Sequence, residues 1–179
     1  MLLKHFVQTS LLFITILFSS LKTFSQTEYK YAVGARFGYG LGIAGNYMFD
    51  PQNGHGLEFL LRYGYHGLIL NKPGIHIQVL YEKHWVLGRS HWTGYVGAGP
   101  GIGFGKKTYV ATQKYFALGL SPIVGVDYTT QRLRIPLILA FDYKPTFHAD
   151  FPFGNGSEKV GIDFSYYEIA FSVKVGFGR

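Results

Sequence analysis

The chain contains no cysteine. This excludes a disulfide framework, a thiolate metal site and a lipid-modified cysteine at a processing point. Charge is also sparse: Asp, Glu, Lys and Arg make up 15% of the residues, and the basic excess of +7 is scattered along the chain. Scattered cations give no support to a nucleic-acid partner. No low-complexity tract or Pro/Ser-rich linker divides the sequence, so a second domain is not indicated. An apolar run of about 20 residues, the length a membrane-spanning helix needs, is missing. Helical periodicity is not evident anywhere beyond the first 26 positions.

What is present begins with an N-terminal pattern. Lys4 and His5 precede the apolar run Leu11-Leu12-Phe13-Ile14-Thr15-Ile16-Leu17-Phe18, and a polar patch ends at Thr23-Phe24-Ser25-Gln26. That order is expected of a cleaved secretory signal, residues 1–25, with residues 26–179 forming one domain. Glycine (24), tyrosine (14) and phenylalanine (16) are abundant without collagen-like periodicity. Such a composition points to an all-β protein.

Eight runs alternate with a period of two: 29–39, 41–50, 55–68, 74–87, 91–105, 115–129, 132–144 and 164–177. Turn residues separate them, as in Asp50-Pro51-Gln52-Asn53-Gly54 and Asn71-Lys72-Pro73-Gly74. The third run sets Leu57, Phe59, Leu61, Tyr63 and Tyr65 against Glu58, Leu60, Arg62, Gly64 and His66. The last sets Tyr167, Ile169, Phe171, Val173, Val175 and Phe177 against Tyr166, Glu168, Ala170, Ser172, Lys174 and Gly176. One face is thus large and apolar, and the other carries charge.

The charged face, summed over the runs, holds Lys30, Arg36, Arg62, Arg134, Lys144 and Lys174 against Asp50, Glu58, Glu82, Asp127, Asp142 and Glu168. On the apolar face the one charge found is Lys83, beside Trp85 near a strand end, where a long side chain can snorkel. Parity alone leaves open which face is inside. A soluble carrier barrel would turn the apolar face inward, whereas a membrane barrel turns it toward lipid and pairs its charges within. The secretion signal and the clean aromatic face favour the second. The expected fold is an eight-stranded antiparallel up-and-down transmembrane β-barrel. Its lumen would be filled by a charge network of Arg36, Glu58, Arg62, Glu82, His84, Asp127, Asp142, Lys144, Glu168 and Lys174. With the N-terminus in the periplasm, the even-numbered connections should be short, and the fifth (Lys106 to Lys114) and seventh (Pro145 to Asp163) the longest.

The strand count, the closing segment Phe171-Ser172-Val173-Lys174-Val175-Gly176-Phe177, and the segments Leu80-Tyr81-Glu82-Lys83-His84 and Asp142-Tyr143-Lys144-Pro145 carry a resemblance. The chain resembles the eight-stranded outer-membrane barrels of the OmpA/OmpX type over its whole mature length, except that Gly178-Arg179 follows Phe177. The resemblance implies residence in a Gram-negative outer membrane, with lipid, lipopolysaccharide and the barrel-assembly machinery as partners. It implies no single activity.

Other chemistries are weaker. Gly40-Leu41-Gly42-Ile43-Ala44-Gly45 fits the dinucleotide fingerprint, with Glu58 as the acidic residue beyond it, but no helix follows to present amides to a pyrophosphate. The glycines at 97, 99, 101, 103 and 105 repeat every second residue, which suits lumen-facing gaps rather than a phosphate loop; Pro100 between them suggests a bulge. Glu82, His84, His66, His76 and His91, with Ser121 or Ser172, are candidates for hydrolysis or acyl transfer on lipid. They share the inner face, whereas lipid chemistry needs groups on the outer wall. No histidine spacing singles out a zinc site. The expected function is a monomeric, non-enzymatic outer-membrane protein without cofactor, in a structural or surface-interaction role. A narrow porin-like channel and a lipid-modifying barrel enzyme are the alternatives.

Overall fold

The computed structural model describes residues 29–38, 40–65, 73–88, 91–107, 113–130, 135–153, 160–165 and 168–178. The expected signal segment, His66 and Arg134 lie outside them. Period-two alternation puts large apolar side chains on one face and small or polar ones on the other, which only an extended strand does. The strands are β1 (Tyr31–Gly38), β2 (Gly40–Asp50), β3 (His55–Tyr65), β4 (Pro73–Val86), β5 (Trp92–Lys107), β6 (Gln113–Thr130), β7 (Leu137–Tyr143), β8 (Thr146–Phe153), β9 (Gly161–Ser165) and β10 (Ile169–Phe177). All pairings are antiparallel. β1 pairs with both β2 and β10, and β5 with both β4 and β6, so the sheet closes on itself.

Ten strands make eight staves. β7 and β8 both pair with β6 in one register, Tyr143 opposite Val124 and Phe147 opposite Leu120, interrupted only at Lys144-Pro145. β10 and β9 form the last stave, paired with β7 and β8 in turn. The chain is an all-β protein with a closed eight-stranded antiparallel barrel.

Several expectations are corrected. The seventh connection does not run from Pro145 to Asp163, because β8 and β9 occupy most of it. Thr146, His148 and Asp150 point inward while Phe147 and Phe151 point outward, an alternation hidden in the sequence between Pro145 and Pro152. The inward face changes parity on the last stave, from Ser165 to Glu168, Ala170 and Ser172. Its register shifts by one residue there, with Ser165 opposite Thr146 but Ile169 opposite Tyr143. Pro100 makes no bulge. The β4–β5 ladder omits Val79 and Leu80 opposite Gly99 and Pro100, where proline has no N–H to donate, and resumes unshifted.

A bulge does occur between Met48 and Asp50, where β2 gains one residue on β3. It places Asp50 beside His55, on the outer rim rather than in the lumen. Lys30 is likewise exposed, with its ammonium 5.8 Å from the Tyr31 ring centroid. The first hairpin reverses between the paired Gly38 and Gly40. Gly40 has φ +118°, and a Cβ there would lie 2.4 Å from the Tyr63 carbonyl oxygen, so glycine is required on both counts. The fingerprint-like "GLGIAG" is therefore strand β2, not a nucleotide loop.

The interior is filled along its length. Tyr29, Ala32, Met48 and Ile138 form an apolar plug at the end that holds the Asp50–Gly54 turn, termed here the short-turn end. Ala44, Leu60, Leu80, Tyr95 and Ile123 form a second apolar cluster further in. Charged residues occupy the space between and beyond these clusters.

Candidate functional site

Inward parity brings all ten residues of the expected charge network into the lumen. Nine are at most 5% exposed, and the Arg62 side chain is 11% exposed. They form connected groups rather than isolated pairs. Arg36 on β1 grips Asp142 on β7 with both terminal guanidinium nitrogens; Nη1 donates to Oδ2 at 2.6 Å and Nη2 donates to Oδ1. The Tyr95 hydroxyl donates to the same carboxylate at 3.3 Å, and Arg36 reaches Ser172 Oγ at 3.4 Å.

Toward the short-turn end, Lys174 Nζ donates to Glu58 Oε1 at 3.0 Å and to Asn46 Oδ1 at 2.7 Å. Asn46 Nδ2 passes the chain on to Glu82 Oε2 at 3.2 Å. His84 lies between two carboxylates, 3.0 Å from Glu82 and 3.6 Å from Asp127. Toward the opposite end, Glu168 holds two cations, Lys144 at 2.5 Å and Arg62 at 3.2 Å. Lys144 Nζ also reaches Thr146 Oγ1 at 3.4 Å, and Ser121 Oγ bridges Thr146 (2.8 Å) and Gln78 (2.9 Å).

Glycines make room for these side chains. A Cβ at Gly97 would lie 2.9 Å from Glu82 Cγ, one at Gly101 2.6 Å from Gln78 Cγ, and one at Gly103 2.6 Å from His76 Nδ1. Gly101 and Gly103 thus leave the space that the Gln78 and His76 side chains occupy, whereas at Gly97 the Tyr81 backbone carbonyl oxygen is nearer still, at 2.3 Å.

The sequence missed Asp150 and His148, which lie 3.6 Å apart inside β8. The alternation Thr146-Phe147-His148-Ala149-Asp150 was the available signal. Their presence, with Lys30 and Asp50 turned outward, changes the charge balance. Among the described residues the lumen holds six acids (Glu58, Glu82, Asp127, Asp142, Asp150, Glu168) against four permanent cations (Arg36, Arg62, Lys144, Lys174). A buried carboxylate without a paired cation is costly unless a proton or a hydrogen bond offsets its charge. His84 and His148, each beside a carboxylate, are positions for such protons.

The candidate nucleophiles are buried in this packing. Ser121 is bonded to Gln78 and Thr146, Ser172 lies against Arg36, and both are fully enclosed. His76 is buried and His91 exposed, so the structure does not gather the candidate hydrolytic residues at one point. Among the described residues no three His, Asp or Glu side chains are placed to hold a metal. Two small voids of about 10 Å³ each, one bordered by Arg36 and Arg62 and one by His76 and His148, have room for about one water.

No protein-family model, curated protein or solved structure matches this chain.

Proposed function

We propose that this chain is an integral outer-membrane β-barrel of the OmpA/OmpX kind, a monomer with a structural or surface-interaction role. It would be exported through the inner membrane by its signal and inserted by the barrel-assembly machinery. The observation that carries the reading is the outward wall. Val33, Ile43, Leu61, Ile77, Ile102, Leu118, Phe141 and Phe171, one from each stave, are all between 38% and 55% exposed. Soluble monomers rarely expose a contiguous apolar patch beyond about 300–600 Å². Here the apolar surface circles the molecule, and its exposure to water would cost about 25 cal/mol per Å².

Three further features support the same reading. The closed sheet satisfies its backbone groups internally, as hydrocarbon demands. Aromatic rings gather toward both ends: Tyr31 stacks with Tyr47 and Phe177, Trp92 meets Tyr128, and at the other end Phe116 lies between Phe104 and Phe151. Aromatic girdles of this kind mark the two interfaces of membrane barrels. The filled lumen with its apolar plug favours a closed barrel over the channel reading.

Membrane fractionation and heat-modifiable gel migration test the proposal together. The expected result is recovery in the outer-membrane fraction, resistance to alkaline extraction, and a faster-running unheated form. Recovery in the soluble periplasmic fraction would overturn it.

A further inference from the structure

The outer wall carries a polar constellation at the short-turn end. The bulge in β2 aligns Asp50 with His55, and His55 is aligned with Lys83, so three strands present an acid, an imidazole and an ammonium in one row. In β2, β3 and β4 these are the charges that face outward among the described residues. The Tyr81 hydroxyl lies 2.5 Å from His55 Nδ1, and Lys83 Nζ lies 3.2 Å from His55 Nε2. Phe49, His55 and Tyr81 stack as a platform, with ring centroids 5.9 to 6.3 Å apart.

The direction of these hydrogen bonds determines what is left over. An ammonium can only donate, so Lys83 donates to His55 Nε2; the imidazole proton is then on Nδ1 and is donated to Tyr81. The Tyr81 O–H is thereby turned outward as a donor. Lys83 also donates to the Asn53 carbonyl, which leaves one of its three N–H groups unused. Asp50 accepts from the Asn53 backbone at 3.1 Å and from its side-chain amide at 2.8 Å, one bond per oxygen, and keeps lone pairs on both. Two donors and one ionised acceptor therefore remain at the rim, over an aromatic platform.

We propose that Asp50, Lys83 and Tyr81 form a binding site for the headgroup of a phospholipid that bears a primary ammonium. Lys83 and Tyr81 take the phosphate oxygens, and Asp50 accepts from the ammonium. The site is electrically balanced, plus one against minus one, and so suits a zwitterion better than an anion. The rings of Phe49 and Tyr81 lie alongside the glycerol and upper acyl chain. The assignment rests on the membrane reading, since the platform faces the hydrocarbon boundary only in a bilayer.

The test is native mass spectrometry of the full chain in detergent micelles, offered phosphatidylethanolamine, phosphatidylcholine or phosphatidylglycerol in turn. The expected result is that phosphatidylethanolamine is retained about tenfold or more over phosphatidylcholine, whose quaternary ammonium cannot donate. Asp50→Asn should abolish that preference. Tyr81→Phe, which keeps the ring stack, and Lys83→Met should lower retention of phospholipids generally. Equal retention of the two zwitterionic lipids by the wild type, or an undiminished preference in Asp50→Asn, would overturn the site. Heat-modifiable migration of each variant reports folding, and because binding is read in micelles, a failure of membrane residence is seen separately.

Discussion

Arg36 and Asp142, 106 residues apart in sequence, face one another across the lumen as a two-pronged pair that ties β1 to β7. Among the described residues neither has a second opposite charge in direct contact; Asp142 has Tyr95 and Arg36 has Ser172. Removing one partner strands the other in the barrel interior. Asp142→Asn is therefore expected to destabilise the folded barrel by about 3 to 5 kcal/mol. Glu58→Gln should cost markedly less, because Lys174 keeps Asn46 and the nearby Glu82, and one carboxylate leaves an acid-rich cluster. Urea titrations of the folded form, read by unheated gel migration, rank the two. Equal midpoints would argue against these separate lumen pairings.

At the opposite end Glu168 is the shared partner of Lys144 and Arg62. Glu168→Gln strands two cations, whereas Lys144→Met leaves Arg62 paired. The first should lower stability by at least about 3 kcal/mol, and the second by less, since an apolar replacement of similar length can fill the space. The double variant should recover part of the Glu168→Gln loss. A thermodynamic cycle of the three measures the coupling directly.

The glycines of β5 differ from a surface glycine in what surrounds them. At Gly99 a Cβ would lie 1.9 Å from the Val79 carbonyl oxygen and 2.8 Å from Leu80 Cα, both backbone, so the strands themselves must part. At Gly161 nothing lies within 4 Å of the added atom. Gly99→Ala should cost about 1 to 3 kcal/mol or block folding, while Gly161→Ala should be neutral. Refolding yield into detergent separates them.

Much of the fold was legible because parity survives without knowledge of contacts. Glu58, Leu60 and Arg62 alternate with Phe59, Leu61 and Tyr63, and that pattern alone gives a two-faced strand; eight such runs give the staves. Parity could not decide which face is inside, and it failed wherever the count of residues changed. One added residue at the bulge turned Asp50 outward, and one residue of register shift on the last stave moved the inward set from Ser165 to Glu168. Prolines 145 and 152 concealed β8, and with it Asp150 and His148. Membership of the lumen could thus be read from sequence, but partner choice could not. That Arg36 meets Asp142, and Lys174 meets Glu58, depends on the stagger between staves, which no single strand encodes.

Asp50 offers a check on the rim outside the apolar belt. Hydrogen bonds from the Asn53 side chain and backbone favour its ionised form and hold its carboxyl below the usual aspartate range. A lowered folded-state value means that this contribution to the turn is fully present above the unfolded-state value and is lost as pH falls through the folded one. Asn53→Ala removes the side-chain donor, the larger of the two causes, and should move the Asp50 titration upward toward its unperturbed position. Carboxyl carbon shifts of Asp50, followed by NMR in detergent micelles from neutral pH downward, measure both midpoints. The side-chain bond from Asn53 would be disproved by an unchanged midpoint in the variant, and with it the constraint that holds Asp50 at the rim beside Lys83.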